Sequence, residues 1–180
     1  TVPQPPAETE PPRDVLREKL DAMTLEEKVG QMFLGRCRWE TGAEDIEAYH
    51  LGGFVLFGRD FDDQTPESLR ARLDSYQNAA NIPMLLAVDE EGGTVCRVSS
   101  HTAFREEKFP SPREAYASGG MEMVLAMEWE KGYLLHSLGL NVNLAPVCDI
   151  SQTPGAFLYN RSLGADPVTT GQFVAGTLER

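Results

Sequence analysis

Residues 84–93 read MLLAVDEEGG: Met84 to Val88 without a polar side chain, then three acids and two glycines without an apolar one. Five apolar residues with no alternation describe a short strand covered on both faces, as in a parallel sheet. Pro83, just ahead, closes whatever precedes it. Gly92 and Gly93 let the backbone turn sharply, and Asp89 is the first polar side chain beyond the sheet edge. In parallel α/β sheets ligands bind at the carboxyl ends of the strands, so this junction is the first place to look for chemistry.

The same alternation of periods extends in both directions. Thr65-Pro66-Glu67 caps a helix whose apolar stripe is Leu69, Leu73, Tyr76 and Ala80, ending at Asn81. Before it, Gly52-Gly53 leads into an apolar strand, Phe54 to Phe57, ended by Gly58. Ala43 to His50 reads as a short helix, and Phe33-Leu34 as a weaker strand. Thr24-Leu25-Glu26-Glu27 has the form of a capping box, with Leu25, Val29, Met32 and Phe33 on one helical face. Downstream, Met121 to Leu138 predicts a long helix stopped by Gly139, Leu140 to Leu144 a strand, and Asp166-Pro167 the cap of a last helix through Leu178. Strand and helix in turn predict βαβ units around a parallel sheet, and hence an α/β fold. Three clear strands and a weaker one make four units, half of an eight-fold barrel. No Gly, Asn or Pro stops the last helix before Arg180, so the expectation is a barrel truncated after its amino-terminal half, occupying residues 13–180.

Composition narrows the function. The 180 residues are 41% hydrophobic and 24% charged, enough to bury one sizeable core. Sixteen Lys+Arg against 28 Asp+Glu give a net charge of -12, the wrong sign for gripping phosphate backbones, so nucleic acid is not an expected partner. The apolar runs fall far short of the roughly 18 residues of a membrane span. Residues 1–12, TVPQPPAETEPP, hold five of the 12 prolines and little to bury, and read as a tether. Such a tether is expected of an exported or cell-envelope-attached chain, although a start chosen inside a longer sequence explains it equally. Cys37, Cys96 and Cys148 lack the close spacing of zinc or redox sites and read as three small buried hydrophobes. His50, His101 and His136 have no partners at ligand spacing, so no metal is expected. Neither glycine pair matches a phosphate loop, and no cofactor is expected.

The candidate chemistry gathers on two loops. Asp89 follows the strand at 84–88, and Asp149 follows the strand at 140–144 on the same rim. Arg97 and Arg161 are the nearest loop cations. An Asp in this place serves equally as a turn or cap residue, and a lone arginine equally as a solvated one. Glu90 and Glu91 are consecutive, so their side chains diverge and make a poor acid and nucleophile pair; one is expected to brace the turn.

Five blocks, TLEEKVGQMFL (24–34), GGFVLFGRDF (52–61), LAVDEEGGT (86–94) with Arg97, GLNVNLAPVCDI (139–150) and NRSLGADPV (160–168), occur in an order that resembles the amino-terminal half of glycoside hydrolase family 3. The acidic-Glu-Gly-Gly turn is similar to that of the family's β-N-acetylhexosaminidase branch. The resemblance implies a (β/α)8 barrel that hydrolyses terminal β-linked N-acetylglucosamine with retention of configuration. It also implies that Asp89 binds hydroxyls of the terminal sugar, that Arg97 lines the same pocket, and that Arg161 contacts the sugar or holds the site's acids. Carboxylate and guanidinium groups suit a polyhydroxylated ring, since both make charge-assisted, bidentate contacts.

Two departures qualify this. Thr94 stands where the family usually has Arg, which removes a cation near the pocket. The family's Lys-His pair, its His-Asp acid/base loop and its Asp nucleophile all lie beyond Arg180, so the segment is expected to be inactive alone, with the remainder of the barrel or another chain covering its open side. A retaining mechanism needs a nucleophile and a proton donor on opposite sides of the anomeric carbon, about 5 to 5.5 Å apart when both are carboxylates, which half a barrel does not supply. Three other readings stay open: a self-contained α/β sugar-binding module without hydrolysis, a complete hydrolase using Asp89 with Asp149, and a β-glucosidase-type member of the same family.

Overall fold

The computed structural model describes residues 14–179; the expected tether at 1–12 lies outside them. Four strands, β1 (Leu34–Arg36), β2 (Gly53–Leu56), β3 (Leu85–Val88) and β6 (Val142–Asn143), form one sheet in the order β1-β2-β3-β6. Every pairing is parallel: Phe54 lies beside Gly35 and Leu86, and Ala87 beside Val142. Each strand thus adds next to its predecessor, with a helix in every connection: α3 (Gly42–Tyr49), α4 (Pro66–Ala79) and α5 (Pro112–Ser137). Two helices, α1 (Val15–Ala22) and α2 (Leu25–Gly30), precede the sheet and α6 (Pro167–Leu178) follows it. Between β3 and α5 a small antiparallel hairpin, β4 (Glu90–Gly92) and β5 (Val95–Cys96), is inserted.

The helix starts are local events. Thr24, Thr65 and Ser111 each accept from the backbone N–H three residues on, and Glu27, Ser68 and Glu114 return the bond to the cap. Asp166 accepts from the amides of Val168 and Thr169 ahead of α6. These bonds hold the Glu27 and Glu114 carboxyls below the usual carboxylate range, and the Thr169 hydroxyl, ahead of the two amides, does the same for Asp166.

The core decides the architecture. Phe54 and Leu56 of β2 and Leu86 and Val88 of β3 point the same way and pack with Ile46 of α3, Leu69, Leu73 and Tyr76 of α4, and Leu135 of α5. All three crossover helices therefore serve one face of the sheet. On the other face, Leu85 is 49% exposed although Ala87 is buried. Leu86, Ala87 and Val88 are all buried, so the expectation of a strand covered on both faces holds for them, but coverage by helices is one-sided, as on the outside of a barrel, where strand side chains fill the inner side. A second cluster, Phe109, Val124, Met127, Leu163 and Phe173, joins α5 to α6.

Other expectations shift in detail. The strand expected at 140–144 is paired only at Val142–Asn143. The helix expected from Met121 begins at Pro112 and is interrupted at Gly119 and Gly120, whose glycine pair hid its first two turns. The apolar residues of α1, α2 and the turn after α2 are not buried: Leu25 is 71% and Met32 82% exposed, and with Leu16, Leu20, Val29 and Phe33 they leave an exposed apolar strip on the segment that leads into β1. Among the described residues no helix is long and apolar enough to cross a membrane.

The cysteine reading holds for two residues of three. Cys37 and Cys96 are buried, and desolvation pushes the Cys37 thiol up to about 12 and raises that of Cys96 as well, whereas Cys148 is exposed on the loop after β6. Thiolate is the reactive form, so one thiol, Cys148, is expected to react rapidly with a disulfide reagent in the native protein and all three after denaturation. A colorimetric thiol titration checks this; a second fast equivalent contradicts the burial of Cys37 and Cys96.

Candidate functional site

The turn after β3 is fixed from below by its neighbour strand. Asn143 of β6 clips the backbone of one residue: its Oδ1 accepts from Glu90 N at 3.0 Å, and its Nδ2 donates to Glu90 O at 3.2 Å. Asn141 treats the other end of β3 likewise, accepting from Leu86 N and donating to Met84 O. Two amide side chains thereby substitute for ladder bonds that a two-residue strand cannot make. Beyond the clip, Gly92 and Gly93 have φ of +99° and +66°. A Cβ on Gly92 would collide with the Pro110 carbonyl, and one on Gly93 would come within 2.7 Å of Ser111 Cβ, so the turn needs glycine for conformation and for space.

The three acids of this turn meet three different fates. Glu90, fully buried, accepts from the amides of Arg97 (2.9 Å), Val98 (2.7 Å) and Ser99 (3.3 Å), and from the Ser99 hydroxyl. It is the brace expected of one of the two glutamates, and it anchors the backbone that carries Arg97. Glu91 is forked by Arg161 across seventy residues of sequence: Nε donates to Oε2 at 2.8 Å and Nη2 to Oε1 at 2.6 Å. The bond to Glu91 raises the Arg161 pKa, with smaller contributions from Asp89 and Asp149. Asp89 is half-buried, and its one ion pair among the described residues is a loose 3.7 Å contact to Arg97 Nη2. Arg97 Nε is itself buried without a hydrogen-bond partner among the described residues.

Asp89, Arg97 and Arg161, named from sequence, are thus brought to one rim, although Arg161 grips Glu91 rather than Asp89. Asp149 is exposed on the loop after β6 and makes no ion pair among the described residues. His101, set aside as partnerless, lies 3.0 Å from Asp62 and packs against Phe61 and Phe104. Among the described residues no group of three or more His, Cys, Asp or Glu stands close enough to hold a metal ion.

Sequence reasoning passed over the support beneath the turn. Lys131 of α5 is 0% exposed; its Nζ donates to the Glu91 carbonyl and to Glu128 Oε1, both at 2.7 Å. A signal was present, because Lys131 sits on the stripe of Val124, Met127 and Leu135, where an unpaired ammonium would be costly to bury. Burial holds the Glu128 carboxyl above the usual carboxylate range, against the pull of Lys131.

The family model for the glycosyl hydrolase family 3 N terminal domain matches residues 24–179, and the chain belongs to that family. It is 32% identical over 147 residues to a β-hexosaminidase of Vibrio cholerae, which covers 78% of this chain and 42% of the relative. It is 29% identical over 145 residues to the β-hexosaminidase LpqI of Mycobacterium tuberculosis, covering 79% and 36%. A solved family 3 β-N-acetylglucosaminidase from Paenibacillus sp. str. FPU-7 superposes with a TM-score of 0.73 at 27% identity, covering 88% of this chain and 31% of that one. The chain therefore spans less than half the length of these relatives.

Removing the ammonium in Lys131→Met leaves the Glu128 carboxylate buried and unpaired, and about 3–5 kcal/mol of stability is expected to be lost near neutral pH. The folded Glu128 pKa, already raised and raised further by the loss of Lys131, exceeds the unfolded value of ~4.3. Stability of the variant then falls as pH rises above that range and recovers on acidification, when the carboxyl takes up a proton. Urea denaturation of variant and wild type near neutral pH and near pH 5 tests this; a deficit independent of pH contradicts it.

Proposed function

We propose that this chain supplies part of the sugar-binding pocket of a retaining β-N-acetylhexosaminidase acting on terminal β-linked N-acetylglucosamine. One observation carries the reading. Of the three acids after β3, Glu90 and Glu91 are committed to internal partners, whereas Asp89 is half-buried beside Arg97 with hydrogen-bonding capacity to spare. A carboxylate and a guanidinium side by side, fixed by the buried Glu90 brace, form a preorganised acceptor and donor pair for adjacent sugar hydroxyls. Family membership and the β-hexosaminidase relatives support the choice of substrate class.

In this reading Asp89 and Arg97 hold the terminal ring, and Arg161 holds Glu91 so that the turn presents Asp89. The nucleophile and the acid/base come from polypeptide beyond these residues, and the same polypeptide covers the apolar strip of α1, α2 and β1 and extends the sheet at its edges. The coverage of well under half of each β-hexosaminidase relative supports that division of labour.

Asp89→Asn keeps the shape but removes the charge-assisted bonds, worth about 1.5–3 kcal/mol each, so N-acetylglucosamine is expected to bind about tenfold or more weakly. Calorimetric titration of wild type and variant, with circular dichroism to confirm folding, checks this; equal affinities contradict the pocket. In the full-length protein carrying this chain, a chromogenic β-N-acetylglucosaminide is expected to be cleaved faster than the matching β-glucoside, and the reverse preference overturns the substrate assignment.

A further inference from the structure

Arg161 reaches Glu91 from a long connection, residues 144–166, that contains no helix or strand. Nothing in regular secondary structure places its guanidinium, yet the fork to Glu91 has short, paired bonds. The placement comes from a second arginine, Arg113, in the first turn of α5.

Arg113 spans both ends of the Ser151–Ser162 segment. Its Nε donates to Tyr159 O at 2.8 Å, and its Nη2 donates to Ser151 O at 2.5 Å and to Ser162 Oγ at 3.3 Å. The guanidinium lies 4.0 Å from the centre of the Tyr159 ring. Gly164, with φ +79°, also packs against it: a Cβ there would collide with Arg113 Nη1 and Cζ. Two residues on either side of Arg161, Tyr159 and Ser162 in the chain before and after it, are thus tied to one planar group, with Ser162 fully buried.

The same stretch of backbone also carries the other half of the pair. Gly93 N donates to Phe109 O, and Gly92 and Gly93 lie against Pro110 and Ser111, the cap residue two places before Arg113. Residues 109–113 therefore touch the turn that bears Glu91 on one side and the loop that bears Arg161 on the other.

We propose that Arg113 is a positioning residue that fixes the Arg161–Glu91 fork, and through it the turn presenting Asp89. The consequence for sugar affinity rests on the function proposed above; the geometry of the fork does not. A lysine cannot replace Arg113, since an ammonium lacks the planar spread to serve two carbonyls, a hydroxyl and a ring face together.

The test uses the full-length protein carrying this chain, isotope-labelled only at arginine, and follows the side-chain Nε–H resonances by NMR. The Arg161 resonance, identified by its disappearance in Arg161→Lys, is protected in the wild type by Glu91. The Arg38 resonance, bonded to Asp45 of helix α3 and sharing no partner with Arg113 or Arg161, is the internal control. Arg113→Lys and Gly164→Ala, the latter pressing a methyl group into the guanidinium, are both expected to abolish the Arg161 signal and spare that of Arg38. With N-acetylglucosamine as the probe, affinity is expected to fall about tenfold in Arg113→Lys. Persistence of the Arg161 signal in Arg113→Lys and Gly164→Ala overturns the proposal, as does joint loss of both signals, which marks general unfolding. Unchanged sugar affinity alongside a lost Arg161 signal overturns the link to the site. If the wild type binds no sugar, the proposed function fails, while the two arginine signals still decide whether Arg113 positions the fork.

Discussion

A carboxylate buried at the end of a strand has to be matched, and Glu91 is matched by a guanidinium seventy residues away. Most of the site follows from that demand. The Arg161 loop must descend onto the turn, the turn must present Glu91 to it, and both must be held while charge is taken out of water. Glycines at 92, 93 and 164 allow the close approaches, and α5 supplies the floor through Ser111, Arg113 and Lys131. With Glu90 and Glu91 satisfied internally, Asp89 is left beside Arg97 facing the open rim.

Buried ion pairs of this kind contribute little net stability, because desolvation offsets most of the attraction. Their effect is geometric. Glu90 accepts three consecutive amides and so dictates the path of residues 97–99, while Lys131 holds the Glu91 carbonyl from beneath. A turn that relied on apolar packing alone could slide; one whose two buried glutamates are matched by fixed donors is held in one arrangement. Stability comes instead from the apolar layer of Phe54, Leu56, Leu86 and Val88 against α3, α4 and α5.

Much of this was legible in the amino-acid order. The parallel α/β class, the βα order, the capping box at Thr24 and the caps at Thr65 and Asp166 depend on residues within a few positions of each other, and they appear where the pattern put them. The hairpin at 90–96 and the first turns of α5 were not legible, because glycines and short polar runs look alike whether they form loops or buried turns. Asp89, Arg97 and Arg161 could be named from motif and strand position. Their pairing could not, nor could the roles of Asn143, Lys131 and Arg113, since each acts on a residue 40 to 53 positions away.

The sequence by itself determined the order of strands and helices, the caps that start the helices, and the acids and arginines available to a site at the carboxyl ends of the strands. These follow from periodicity and local chemistry, which need only near neighbours. Tertiary structure alone decided that the helices cover one face of the sheet, and which of three adjacent acids keeps hydrogen-bonding capacity to spare. That last choice is made by partners arriving from β6, α5 and the 144–166 connection, and only the folded chain brings them together.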